Sequence, residues 1–264
     1  MKTARTRKSW FSLLILTAAL TMLMMIPSYA AEKRKLVKSY EMTDANGKLS
    51  AIVTYTYDSK GNRKKATYKD YENGKLVETS STNYKTTYWS GSSQAKKIVE
   101  TTKGYKSTTE YTKSGLPKRW IRETGTDTIT TDYTIKGGHL KKAVTKDSSG
   151  KVTSEEGFDS KGNTTYYISY DSKGKKSKST YKMTYKNGVL RKQVVTGSDK
   201  SSAVYESDKH GNLIKTVLKT ADGQTYSFTV KIKYSGDYVK VRKTYDSDGK
   251  LDSTTTYKYT SKAY

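Results

Sequence analysis

Phe158-Asp159-Ser160-Lys161-Gly162-Asn163-Thr164-Thr165-Tyr166-Tyr167-Ile168-Ser169-Tyr170-Asp171-Ser172-Lys173-Gly174-Lys175 contains one unit twice: an aromatic residue, then Asp-Ser-Lys-Gly, then Asn or Lys. Between the two turns, Tyr166, Ile168 and Tyr170 alternate with Tyr167 and Ser169, which is the side-chain period of a strand. Asp hydrogen-bonds the backbone ahead of it, and Gly takes the positive φ that closes a hairpin. The stretch therefore predicts strand, tight turn, strand.

The unit recurs at Tyr57-Asp58-Ser59-Lys60-Gly61-Asn62 and at Tyr245-Asp246-Ser247-Asp248-Gly249-Lys250. Asn73-Gly74 and Asn187-Gly188 are shorter hairpin signals. Glycines fall at 47, 61 and 74, then 150, 162, 174 and 188, then 211, 223, 236 and 249, spaced by 12 to 14 residues within each run except for the step from 188 to 211. That is one strand and one turn per step, so successive strands pair antiparallel as a meander. Tyr226, Phe228, Val230, Ile232 and Tyr234 share one face of a strand, with Ser227, Thr229, Lys231 and Lys233 on the other. Leu49, Ala51, Val53, Tyr55 and Tyr57 repeat the pattern early in the chain. One face is aromatic and aliphatic, and the other is Thr and Lys. The expected fold is all-β: a repetitive antiparallel β-hairpin meander, elongated as a single layer or rolled up. It forms one domain over 44–264 after a basic lead-in at 31–43. Its rhythm breaks at about 84–133, which holds Pro117, Trp89 and Trp120.

Residues 1–30 are expected to be a signal peptide. Lys2, Arg5, Arg7 and Lys8 form a basic start, Trp10–Ile26 is apolar, and Ser28-Tyr29-Ala30 places small residues at a cleavage site. The chain has no Cys, which excludes disulfides, thiol chemistry and a lipidated cysteine. Net charge is +25, carried by 42 Lys and 8 Arg against 25 acidic residues. Lys is a hydrated point charge rather than a planar fork, so such a surface suits diffuse attraction to polyanions. Hydrophobic residues make up only 33%, yet 24 Tyr argue against disorder and for a thin core of Tyr rings.

The aromatic-Asp-x-x-Gly turns, as in Tyr57-Asp58 with Gly61-Asn62 and Tyr170-Asp171 with Gly174, resemble the YD repeat of bacterial surface and Rhs-type proteins. Asp208-Lys209-His210-Gly211-Asn212 looks like a copy without its Tyr, and Tyr71-Glu72-Asn73-Gly74 resembles MORN-like repeats. The resemblance implies a repetitive β-hairpin sheet in an envelope or extracellular setting.

Chemistry for catalysis is sparse. His139 and His210 each stand at a turn beside Gly, with no Cys and no third group paired to them, so neither zinc nor a nucleophile triad is supported. Asp246, Asp248 and Asp252 cluster around Gly249, but the spacing is not that of a calcium loop, and Asp is common at turn starts. No enzyme and no cofactor are expected. The turn residues Asp58, Gly61, Asn73, Gly74, Asp159, Gly162, Asp171, Gly174, Asn187, Gly188, Asp246 and Gly249 are structural. The expected function is that of a secreted binding or structural protein of a bacterial envelope, in a Gram-positive setting. It would be released or loosely wall-associated and drawn by its basic face to anionic wall polymers or acidic glycans. The alternative is carbohydrate recognition by Tyr88, Trp89 and Trp120, with Arg119 and Arg122 beside them. Specific nucleic-acid binding is not expected. A porin-like barrel would need a continuously apolar outer band, against which Lys258 and Lys262 speak.

Overall fold

The computed structural model describes Lys35–Ala263; the expected signal peptide at 1–30 lies outside the described residues. Every element is a strand. In chain order these are β1 (Lys35–Asp44), β2 (Leu49–Tyr57), β3 (Arg63–Glu72), β4 (Lys75–Tyr88), β5 (Ala95–Thr102) and β6 (Tyr105–Tyr111). Then come β7 (Pro117–Thr124), β8 (Asp127–Lys136), β9 (His139–Lys146), β10 (Val152–Phe158), β11 (Thr164–Tyr170) and β12 (Lys176–Lys186). The last are β13 (Val189–Gly197), β14 (Ser202–Ser207), β15 (Leu213–Lys219), β16 (Thr225–Ser235), β17 (Tyr238–Tyr245) and β18 (Leu251–Ala263).

Each strand pairs antiparallel with its neighbours in the chain, and β1 also pairs with β18, with Tyr40 opposite Tyr257 and Thr43 opposite Thr254. The meander therefore closes into an 18-stranded barrel without a free edge. This decides between the open and rolled forms that the sequence leaves open. Tyr rings bind the seam: Tyr40 lies 5.8 Å from Tyr257 on one side and 6.3 Å from Tyr55 on the other. Lys258 Nζ meets Glu41 at 2.8 Å on the opposite face of the same pair.

The turns follow from local chemistry. In Asp58-Ser59-Lys60-Gly61-Asn62 the Asp carboxylate accepts the backbone N–H groups of Lys60 and Asn62, both at 2.9 Å. Gly61 N–H closes on the Asp58 carbonyl at 3.2 Å with φ +82°, and Asp58 N–H bonds the Asn62 carbonyl at 2.8 Å. This is a three-residue loop ending in a left-handed glycine. It shifts the register, so the preceding aromatic residue stands at a bulge: Tyr57 opposite Arg63, Phe158 opposite Thr164, Tyr245 opposite Leu251. Asn73-Gly74 and Asn187-Gly188 have two positive φ angles each, as a two-residue hairpin turn requires.

The stretch 84–133 is not an interruption. Strands β4 to β8 run through it with the same pairing as elsewhere. Its turns use other residues: Thr112 stands in the place of Asp and its Oγ1 accepts Leu116 N–H at 3.1 Å, while in the longer 89–94 turn Trp89 holds the Asp position and Ser92 Oγ accepts Gln94 N–H at 2.9 Å.

The two faces of the wall are unlike. Val53, Ala66, Thr82, Ser107, Thr131, Leu140, Ala143, Phe158, Gln193, Thr216 and Val230 are buried and fall on one face in register. Their sequence neighbours Lys65, Lys192, Lys215 and Lys231 are exposed on the other. Side chains converge on the concave side of a closed wall and splay on the convex side, so the buried set points inward. Thr108 is buried on the outer face, where it lies between Val99 and Ile121 on the flanking strands. No large side chain is fully buried, so the inside is lined rather than filled. The densest apolar patch is Leu140, Ala143 and Phe158, with Leu116, Tyr133 and Ile135 packed on it.

Candidate functional site: the inner wall and the Trp89 rim

The inward face carries aromatic rings with a few charged groups among them. From β1 to β5 these include Tyr40, Tyr55, Tyr68, Tyr84, Arg63 and Glu100. The Arg63 guanidinium stacks 4.5 Å from the Tyr55 ring centre. Burial pushes the hydroxyls of Tyr40 and Tyr84 above their ordinary range. Burial also raises the Glu100 carboxyl, with Arg63 pulling the other way. A second set, from β6 to β14, holds Tyr111, Tyr133, Glu156, Tyr181 and Tyr205. Burial pushes Tyr133 and Tyr181 up to about 12, and the Glu156 charge adds to this. Glu156 is itself raised by burial, with the Thr164 hydroxyl bonded to it acting against the rise. Arg122 and Arg242 are also on the inward face, opposite Ser107 and Ile232. Arg242 Nε is buried without a hydrogen-bond partner.

Hairpins alternate between the two ends of the barrel, so the turns after even-numbered strands share one rim. Three of them carry one constellation. Asn62 Nδ2 donates to the Tyr88 hydroxyl at 2.8 Å, that hydroxyl donates to Asp58, and Lys60 Nζ lies 3.9 Å over the ring. Asn212 Nδ2 donates to Tyr234 at 2.8 Å, the Tyr234 hydroxyl donates to Asp208, and His210 stacks on the ring at 4.5 Å. Burial first, and the Asp bond second, push Tyr88 and Tyr234 up to about 12. At Asp159–Asn163 the matching ring is Tyr185, with Lys161 Nζ 4.1 Å above it, but its hydroxyl is buried without a partner.

The fourth position, the turn between β6 and β7, has Thr112 for Asp, Leu116 for Asn and Ile135 for Tyr. Leu116 and Ile135 pack into the apolar patch instead. Beside this turn stands Trp89, whose indole N–H donates to the Thr112 carbonyl at 3.2 Å. Trp89, Lys96, Lys97, Glu110, Tyr111 and Lys113 line most of a cleft of about 450 Å³.

The candidate residues from the sequence are thus separated. Tyr88 is held by Asp58 and Asn62, while Trp89 lines the rim cleft. Trp120 and Arg122 are on the inward face, opposite Thr109 and Ser107, with the guanidinium 5.9 Å from the Trp120 ring centre. Arg119 is on the outer face, bonded to Asp132 at 2.6 Å. Tyr88, Trp89 and Trp120 do not form one platform. Arg63, Glu156, Lys96 and Lys113 are absent from the sequence-derived set. Alternation alone puts Arg63 in step with Lys65, and Arg242 in step with Lys240; the bulge at Tyr57 brings Arg63 inward, and the register opposite Ile232 brings Arg242 inward. Asp246 caps its turn by accepting the N–H groups of Asp248 and Lys250 at 3.0 and 2.9 Å, and no metal-holding cluster occurs among the described residues.

The fold and its wall define a closed antiparallel β-barrel, lined inside by aromatic rings and basic outside. Its architecture is similar to a porin-like protein from Bacteroides uniformis, with a TM-score of 0.51 at 12% identity over 85% of this chain and 96% of that one. A porin-like protein from Bacteroides vulgatus gives a TM-score of 0.45 at 11% identity over 86% and 100%. No protein-family model matches the chain, and no curated protein matches it. The resemblance to YD and MORN-like repeats is thereby corrected. The hairpins build a closed porin-like barrel, because an Asp-x-x-Gly turn closes any right-twisted hairpin and carries no family information of its own.

Proposed function

We propose that the protein is an exported β-barrel of the bacterial cell envelope that works in water and binds its ligand within the aromatic inner wall. One observation carries this: around a closed wall most Tyr rings turn inward and most lysines outward, with β11 the exception, since its Tyr166, Ile168 and Tyr170 share the outer face with Lys176 and Lys178. A barrel embedded in lipid needs an apolar outer band, and each Lys at its midplane costs about 2–4 kcal/mol. Here Lys65, Lys85, Lys182, Lys192, Lys215 and Lys231 stand exposed at inner positions of β3, β4, β12, β13, β15 and β16. Inside, Tyr rings supply flat contact area while Arg63, Arg122 and Glu100 supply hydrogen bonds, a makeup suited to polar ring-shaped ligands such as saccharides. The similarity to a porin-like protein favours an envelope setting and does not favour a Gram-positive wall. Attraction to anionic polymers rests on the outer charge alone. No catalytic constellation is part of this reading.

The same similarity favours a second reading, a membrane-embedded channel. Fractionation of a bacterium expressing the full chain separates the two. Release from washed envelopes by salt or carbonate, as a detergent-free monodisperse protein, is the expected result. A requirement for detergent would overturn the proposal in favour of the channel.

A further inference from the structure

Among the three-residue loops of the even-strand rim, the β6–β7 turn departs from the other three, and a cleft lies beside it. Where Asp58, Asp159 and Asp208 each put a carboxylate at the turn, the β6–β7 turn has neutral Thr112. Its fifth residue is Leu116, and no Tyr stands over it. The turn there lacks the negative charge and the covering ring that the other three have. The indole of Trp89 takes up position instead, fixed by its bond to the Thr112 carbonyl. Lys96 Nζ lies 5.1 Å and Lys113 Nζ 5.7 Å from the ring centre. Lys97 and Lys118 also line the cleft, and Glu110 is the one acidic group on it. Lys97 and Glu110 are cross-strand partners on the outer face, while Tyr111, which also lines the cleft, belongs to the inward set, so the cleft lies at the rim where the two faces meet.

We propose that this cleft is a binding site for an acidic saccharide, with one sugar ring stacked on Trp89 and its carboxylate held by Lys96 and Lys113. The chemistry suits that class. An indole face stacks on the C–H face of a pyranose, and ammonium groups beside it select a carboxylated ring over a neutral one. A cleft of about 450 Å³ is of ligand-binding size. The site centres on Trp89 at the rim and shares Tyr111 with the inner wall, and its test does not depend on the proposed function.

The test uses residues 31–264 with Trp120→Phe, which leaves Trp89 as the tryptophan fluorophore, titrated with tri-galacturonate and with the fully methyl-esterified trimer. The expected result is a saturable change in Trp89 emission with the acid and affinity about tenfold or more weaker with the ester. Lys96→Gln with Lys113→Gln is expected to weaken acid binding by at least a similar factor while thermal unfolding is unchanged, and Glu110→Gln to tighten it. Equal affinity for acid and ester would overturn the proposal, as would acid binding that survives the double lysine change. Binding by isothermal calorimetry that Trp89→Phe leaves unaltered would also overturn it, by placing the ligand elsewhere on the basic outer face. None of these outcomes bears on whether the barrel is soluble without detergent.

Discussion

The rim turn between β2 and β3 and the one between β6 and β7 do the same geometric work with opposite chemistry. In the first, Asp58 accepts two backbone N–H groups and the Tyr88 hydroxyl, Asn62 donates to the same hydroxyl, and Lys60 covers the ring. In the second, the Thr112 hydroxyl accepts one N–H, and Leu116 and Ile135 hold the turn by packing on Leu140 and Phe158. A polar lock places a carboxylate and a covered ring at the rim. An apolar lock hides its contacts under the turn and leaves the surface above it free. The Trp89 cleft occupies that freed surface, so the altered turn is where the repeat gives way to a site.

The comparison breaks most readily at Asp58. Asp58→Ala removes the acceptor for two backbone N–H groups and the Tyr88 hydroxyl at once, and is expected to cost about 2–3 kcal/mol in urea unfolding. Thr112→Ala loses one weaker acceptor and is expected to cost about 1 kcal/mol. Equal costs would mean that the polar lock does not hold its turn as described.

Alkaline pH tests the same lock. Tyr88 and Tyr234 sit at about 12 in the folded chain, above the ordinary value of about 10. Between these values the unfolded chain has released protons that the folded chain keeps. Their stabilisation is therefore complete below about pH 10 and is lost as pH rises to about 12. Ultraviolet titration of tyrosinate should show late-titrating hydroxyls, and Asp58→Asn should move Tyr88 down while leaving Tyr234 in place. A Tyr88 that titrates with the bulk of the tyrosines would contradict the bond to Asp58.

The smallest effect sharpens the contrast within the polar copies. Tyr88→Phe removes a hydroxyl with two partners and is expected to cost about 1 kcal/mol. Tyr185→Phe removes a buried hydroxyl without a partner, so its unfolding midpoint should stay level or rise. Paired measurements of Cm on the two variants decide this.

Much of the wall was legible in the sequence. Period-two alternation in Tyr226–Tyr234 gave both a strand and its faces, and the Gly spacing gave the meander. Closure was not legible, because whether β1 meets β18 depends on twist and register summed around the sheet. The middle reads as irregular because Thr112 replaces Asp in one turn and Trp89 holds the Asp position of a longer one, where the Ser92 hydroxyl supplies the cap. Trp89 was visible as an unusual residue, but its partners were not. Lys96 and Lys113 reach it from a strand start and a neighbouring turn that only the register brings together. Trp120 was grouped with it on residue type, whereas strand alternation sends Trp120 inward.

The account rests on which face of the wall meets water. The absence of Cys from the chain allows single-Cys variants of the detergent-free mature protein to be labelled with a bulky charged maleimide. Lys65→Cys and Lys231→Cys should react fast, and their sequence neighbours Ala66→Cys and Val230→Cys slowly or only after unfolding. Fast labelling at Ala66 and Val230 with protection at Lys65 and Lys231 would turn the barrel inside out and contradict the proposal of a barrel that works in water.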